Sequence, residues 1–142
     1  VKGQDITDAH IDFYARFVRP GVVVAGFEPD ASYADHEITK ANIRLLKSAT
    51  DAKGRKLEVH VIEGPRHIRE KFANDEFAAG YINYYVCNGG IIMSEFGDTL
   101  ADAAAKSTLQ KLYPGREIVQ VNADGISAGG GGIHCTTQQE PV

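Results

Sequence analysis

Cysteine is scarce in this sequence: Cys87 and Cys135 are the only two in 142 residues. That count excludes the multi-bridge framework of a small secreted domain, and any zinc site built from four cysteines. Positive charge is not in excess either. The chain has 15 Lys and Arg against 19 Asp and Glu, a net charge of −4, and its basic residues are scattered. Neither nucleic acid nor an anionic membrane is therefore an expected partner. A cationic small molecule suits the balance better. No apolar run approaches the roughly 18 residues that cross a bilayer, and no segment has the pattern of a secretory leader. A reducing cytoplasm is the expected compartment.

What is present suits one globular domain. Hydrophobic residues make up 43% and charged residues 24%, and 142 residues are enough for one modest core. The chain starts at Val1 rather than Met, so a cut or trimmed N-terminus is expected.

Two stretches repeat each other. "PGVVVAGF" (20–27) and "GGIIMSEF" (89–96) each place a glycine ahead of an apolar run, and such runs bounded by turn residues read as buried strands. Each is preceded by a strand-like piece, "IDFYARFV" (11–18) or "YINYYVC" (81–87), with "RPG" or "NGG" as the turn. A helical pattern follows each pair. Ile38, Ile43, Leu45, Leu46 and Ala49 form one apolar stripe, and Leu100, Ala103, Ala104, Leu109 and Leu112 form the other, with Thr99 and Asp102 spaced as a capping box. One more strand closes each unit, "LEVHVI" (57–62) or "EIVQV" (117–121). The reading is thus α/β, with strand–strand–helix–strand units over about 11–62 and 81–121. A polar connector with a short helical turn joins them over 63–80. "GQDITDAH" (3–10) and the C-terminal loop read as pieces of neighbouring units. Repeats bury their apolar faces against one another, so two units with ragged ends suggest a piece of a larger assembly.

The ends carry the chemistry. "GGGGIHCTT" runs a glycine loop, residues 129–132, into Cys135. Taken as a strand, it turns Ile133 and Cys135 to one face and His134 to the other, which separates His134 from the thiol. A base for Cys135 must then come from elsewhere. "TDAHIDF" offers His10 and Asp12, two residues apart and on one side of an extended stretch. A histidine shuttles protons near neutral pH, and a carboxylate matches a planar guanidinium with two parallel hydrogen bonds. Cysteine, histidine and acid together make a nucleophile–base–orienter set. Each piece also has a plainer reading. The glycines can be a mobile linker, His10 and Asp12 a surface pair, and Cys135 an inert buried thiol like Cys87. His36, His60 and His67 are assigned to structure or surface.

Three segments together resemble the agmatine deiminase family: "DITDAHIDFYARFVRPGVVV", "YINYYVCNGGIIMSEFGDTLADAAA" and "GGGGIHCTTQQEP". That family also holds the bacterial peptidyl-arginine deiminases and lies in the wider pentein, or guanidino-group-modifying, superfamily. The resemblance covers essentially the whole chain in order, and the combination of His-x-Asp, NGG and GGGxIHC is specific. It implies a five-bladed α/β propeller of ββαβ units, of which this chain (1–142) would supply about two blades plus edges as the C-terminal portion. It implies that Cys135 is the nucleophile, His10 the acid and base, and Asp12 a catalytic residue that also binds the guanidinium. Gly129, Gly130, Gly131 and Gly132 would bring backbone close to the substrate, a task suited to glycine. The implied reaction is hydrolytic, needs no metal or cofactor, and converts agmatine to N-carbamoylputrescine and ammonia in polyamine biosynthesis. Family members are more than twice as long, and their first half supplies further acidic groups. This chain is therefore expected to be inactive alone, with that half or a homo-oligomer as its partner.

Other functions stay open on the sequence. Peptidyl-arginine or free arginine could replace agmatine as substrate. The chain could be a non-catalytic pentein remnant that binds a guanidino ligand or packs with a partner. An acyl-transferring cysteine hydrolase is the third class, though no oxyanion or specificity signature supports it.

Overall fold

The structure is a computed structural model, with residues 10–141 described. The assignment of 3–9 to a neighbouring unit lies outside these residues. Among the described residues, six strands form two three-stranded mixed sheets. In the first, β1 (Ala15–Arg19), β2 (Val22–Phe27) and β3 (Glu58–Glu63) stand in the order β1-β2-β3. β1 pairs antiparallel with β2, and β2 pairs parallel with β3. A tight turn cannot reach a parallel neighbour, so α1 (Asp35–Ser48) makes the crossover. The second sheet repeats the plan with β4 (Tyr85–Cys87), β5 (Gly90–Glu95) and β6 (Glu117–Asn122), crossed by α2 (Thr99–Leu112).

The hairpin in each unit turns in two residues, Pro20-Gly21 and Asn88-Gly89. Gly21 has φ +81° and Gly89 φ +79°, values that a side chain disfavours and glycine adopts freely. The first strand of each unit is shorter than its apolar stretch. Ile11–Phe13 is a 3-10 turn, and Tyr81 to Tyr84 run as buried irregular chain ahead of β4. The connector carries one 3-10 turn, Glu70–Phe72.

The cap of α2 differs from the expected Thr99–Asp102 box. Asp98 is the N-cap, and its carboxylate accepts from Ala101 N–H at 3.1 Å. Asp98 also accepts from Arg66 N–H at 3.0 Å. These two backbone donors, Ala101 foremost, hold its carboxyl below the usual carboxylate range. Asp102 turns inward instead. Leu109 and Leu112 are buried with Ala105, but Leu100 is 84% exposed and Ala103 and Ala104 also face solvent. The packed face is therefore rotated from the expected stripe. An alanine-rich helix defines that phase weakly, because alanine has little apolar surface to bury. In α1, Ile38, Ile43 and Leu46 are half-buried and Leu45 is exposed.

One core serves both sheets. Val22, Val24 and Ile62 of the first unit pack with Tyr81, Ile82, Tyr84, Ile91, Met93 and Phe96 of the second. The side of α2 carrying Ala105, Leu109 and Leu112 closes this core, and α2 packs against both β3 and β6. β1 is tied to the second unit by arginines. Arg16 donates to the Tyr84 carbonyl and lies 4.5 Å from the Tyr84 ring centroid, while Arg19 donates to the Leu112 carbonyl at 3.2 Å. This shared core seats the first unit against the buried stretch 81–84, beside which the candidate site forms.

Candidate functional site

After β6 the chain makes one turn of helix, α3 (Asp124–Ser127), then the glycine run, then a 3-10 turn at His134–Thr136 that carries Cys135. The strand expected over "GGIHCTT" does not form. Ile133 has helical angles, φ −59° and ψ −45°, and the N–H groups of Thr136 and Thr137 each bond back over three residues at 3.2 Å. The two threonine hydroxyls bond the same carbonyls, Ile133 O at 3.1 Å and His134 O at 2.9 Å. Such local side-chain bonds compete with strand pairing. Without two-residue alternation, His134 and the thiol are not set on opposite faces.

Asp12 is brought to the same place from the other end of the chain. It lies in the 3-10 turn rather than in extended chain, so period-two alternation does not put His10 and Asp12 on one side. Asp12 Oδ2 accepts from His134 Nδ1 at 2.5 Å and from Asn83 Nδ2 at 2.9 Å, and Cys135 Sγ lies 3.9 Å from it. Asn83 Nδ2 also lies 3.3 Å from Cys135 Sγ, and Asn83 Oδ1 accepts from His134 N–H at 2.9 Å. Asn83 is 1% exposed, whereas Cys135 is open to solvent. The thiol, the acid and an imidazole thus meet, with a buried carboxamide at their centre.

The histidine on Asp12 is His134. His10 is exposed at the start of the turn, and its imidazole makes no hydrogen bond or ion pair among the described residues. Together with Phe13, Glu28 and Gly130 it lines an open cavity of about 850 Å³, to whose wall Asp12 and Cys135 do not contribute. Cys87 is half-buried, with its Sγ 3.5 Å from the Gly90 carbonyl. His36, His60 and His67 face carboxylates or backbone away from this cluster. Among the described residues, no group of three or more His, Cys, Asp or Glu is placed to hold a metal ion, and no helix is long and apolar enough to cross a membrane.

Sequence reasoning did not single out Asn83 or the His134–Asp12 contact. A signal for Asn83 was present: it is a lone amide inside an otherwise apolar and aromatic run, "YINYYVC", and a buried amide needs partners.

Residues 1–141 match the family described as Porphyromonas-type peptidyl-arginine deiminase. The chain belongs to this family. A Streptomyces avermitilis protein provisionally named an agmatine deiminase is 46% identical over 136 residues, spanning 95% of this chain and 38% of that protein. A Listeria monocytogenes protein, also provisionally named an agmatine deiminase, is 44% identical over 155 residues, with 96% and 42% covered. Among solved structures, the agmatine deiminase of Enterococcus faecalis aligns with a TM-score of 0.86 at 32% identity over 95% of this chain and 41% of that one. The chain therefore spans about two-fifths of the length of the relatives it matches. Its small α/β arrangement of mixed sheets resembles that deiminase structure.

In this deiminase-family chain the four glycines of the loop occupy different surroundings. Gly130 has φ +78° and lines the cavity beside His10. A Cβ on Gly131 would lie 3.7 Å from that of Cys135, and one on Gly132 would run into Asn83. Gly129 is exposed. The departure of the loop is fixed by Arg69. Its guanidinium donates to both oxygens of Asp124, at 3.1 and 3.0 Å, and to the Glu95 carboxylate. Asp124 opens α3 and is 1% exposed.

Glu28 in the cavity wall gives a pH test of this region. Burial, with the nearby Asp30 and Asp35 adding to it, raises its carboxyl above the ordinary range. The folded state thus favours the protonated form. The stability this contributes is full below the unfolded pKa and is lost as pH rises through the folded one. Glu28→Gln is expected to raise the thermal midpoint at pH 7 relative to the parent. At about pH 3, where both forms are neutral, it should make no difference. Equal effects at the two pH values, measured by calorimetry, would refute this account of Glu28.

Proposed function

We propose that this chain is the C-terminal portion of a deiminase that hydrolyses the guanidinium group of agmatine to N-carbamoylputrescine and ammonia, a step of polyamine biosynthesis in the cytoplasm. The observation that carries the reading is the meeting of Asp12 and Cys135, from opposite ends of the chain, in a member of a family whose named relatives include agmatine deiminases. In this reading the units belong to a five-bladed propeller, and the remaining length comes from the missing half or from another copy. The open edges of both sheets suit such association.

Cys135 is the nucleophile. Its thiolate adds to the guanidinium carbon and forms a C–S bond. His10, which lines the cavity beside Gly130, gives a proton to one nitrogen of a substrate that reaches from Cys135 into that cavity, and the C–N bond breaks to release ammonia. His10 then takes a proton from the water that attacks the amidino-cysteine carbon. The C–S bond breaks to return the thiolate, and the added hydroxyl loses its proton to the released ammonia, so guanidinium and water become a neutral ureido product and ammonium. Asp12 accepts hydrogen bonds from the guanidinium through Oδ1, the oxygen not engaged by His134 or Asn83. The glycine loop lets backbone approach the flat cation.

A haloacetamidine, which imitates the guanidinium and alkylates an activated thiol, tests the site. Cys135 is expected to label at least about tenfold faster than Cys87, agmatine should prevent it, and Cys135→Ser should abolish it. Equal, slow labelling of both thiols would instead favour a non-catalytic remnant. Peptidyl-arginine is the second substrate, favoured by the description of the matching family. Protection by an arginyl peptide but not by agmatine would select it.

A further inference from the structure

We propose that the Asn83 carboxamide holds the negative charge of the Cys135 thiolate and aims the sulfur, by donating one amide hydrogen to Cys135 Sγ and the other to Asp12 Oδ2. The inference rests on the reading of Cys135 as the nucleophile and adds a residue to it.

The geometry supplies a problem that this amide resolves. A carboxylate 3.9 Å from the sulfur sets two like charges side by side once the thiolate forms. A reactive thiol nevertheless needs the anionic form. Asn83 Nδ2 has two hydrogens and two acceptors at hand, Asp12 Oδ2 at 2.9 Å and Cys135 Sγ at 3.3 Å, so one group satisfies both anions. His134 Nδ1, 2.5 Å from the same Asp12 oxygen, adds a second donor. The groups facing the sulfur are thus Asp12 and Asn83, with His134 behind Asp12.

The amide can hold this position because it is itself held. Asn83 is 1% exposed, its Oδ1 accepts the His134 N–H at 2.9 Å, and its backbone carbonyl is 3.2 Å from the same N–H. Those bonds hook the 3-10 turn carrying Cys135 onto the buried chain ahead of β4. Gly132 leaves no gap beside the side chain, since a Cβ there would lie 2.3 Å from Asn83 Oδ1. The amide nitrogen faces the carboxylate at 2.9 Å and the sulfur at 3.3 Å, nearer to the sulfur than Oδ1, which lies 3.6 Å from it and is engaged by the His134 N–H.

The test is alkylation of Cys135 by neutral iodoacetamide in the 142-residue chain, followed by peptide mass spectrometry across about pH 6 to 11, with Cys87 as internal reference. Asn83→Asp keeps the shape and the acceptor for His134 N–H but replaces the donor by an oxygen. Its Cys135 is expected to react about tenfold or more slowly near neutral pH and to converge on the parent rate at the alkaline end. Asn83→Ala should move the same way by a smaller factor. A parent-like rate near neutrality, a faster rate, or slowing by one factor at all pH values would overturn the proposal, since a purely structural role gives no convergence. A second measurement needs no Asn83 variant. In the unaltered chain the Asn83 side-chain amide resonances should shift with the midpoint of Cys135 alkylation, and Cys135→Ser should remove that transition. Absence of the shared transition overturns the proposal even where both variants unfold. No guanidino compound enters these assays. A failed haloacetamidine selectivity with an intact iodoacetamide profile therefore sinks the deiminase reading alone.

Discussion

Asp102→Ala is expected to lower the unfolding free energy by about 3–5 kcal/mol, the largest stability loss of any single substitution considered for this chain. Asp102 is 7% exposed and acts as an internal acceptor hub. Its Oδ1 accepts the Tyr81 hydroxyl at 2.7 Å and the Phe96 N–H at 2.9 Å, while Oδ2 accepts the Gly97 N–H at 3.0 Å. Tyr81 and Phe96 are 2% and 0% exposed, so their donors have no water to turn to once the carboxylate is gone. Each orphaned buried donor costs about 1–3 kcal/mol, and alanine orphans two of them together with the half-buried Gly97 N–H. Set against about 5–15 kcal/mol of total stability for a typical domain, that is enough to populate unfolded chain visibly.

The comparison variants separate the hub from a generic cavity. Tyr81→Phe removes one donor and leaves the other two bonds, so about 1 kcal/mol is expected. Asp102→Asn keeps one oxygen but turns an amide nitrogen toward a backbone N–H, and should fall between the two. Burial first, and the Asp102 carboxylate second, push the Tyr81 phenol well above its usual range. The hydroxyl therefore stays a donor at alkaline pH, and the ranking should be the same at pH 9 as at pH 7. Urea denaturation measures all three. An alanine variant within about 1 kcal/mol of the parent would show that the hub is not structurally important.

Asp102 also shows where sequence reading stops. The apolar runs before Phe27 and Phe96, the glycines that turn the hairpins and the crossover helices are short-range features, and the sheets carry them where the pattern put them. Cap identity is settled by a finer competition. Asp98, Thr99 and Asp102 all have capping chemistry, and the choice fell to Asp98 because Asp102 is drawn inward by Tyr81, which lies 21 residues away in sequence. The phase of α2 failed for a related reason, since an alanine face is told from its opposite only by what packs on it. At the site, the meeting of Asp12 with Cys135 was open to inference from the pairing of chain ends, and the distance bears on it directly. The partner of Asp12 was not. His134 reaches it because residues 133–136 coil, and they coil because two threonines bond their own backbone. Asn83 works across 52 residues to Cys135 and 71 to Asp12, separations at which no periodicity survives.

Gly132→Ala is the second large effect expected, and it falls on the site rather than on the sheet core. A Cβ at residue 132 would stand 2.3 Å from Oδ1, 2.7 Å from Cγ and 3.0 Å from Cβ of Asn83. Contacts of that length require something to move. Asn83 resists, because its amide is bonded to Asp12, Cys135 and His134 and its side chain is buried. Moving the loop instead carries His134 and Cys135 with it, two and three residues on. Either response separates the sulfur from the carboxamide. Overpacking of this kind costs about 1–3 kcal/mol, and selective labelling of Cys135 by haloacetamidine is expected to fall to the rate of Cys87. Gly131→Ala is the matched control: its Cβ would meet that of Cys135 at an ordinary 3.7 Å, so labelling should stay near the parent rate. Gly130 differs again, because its φ of +78° makes any side chain strained whatever the space. If Gly132→Ala labels and melts like Gly131→Ala, the loop is a tether and not a shaped wall. Four glycines in a row are then a matter of flexibility alone.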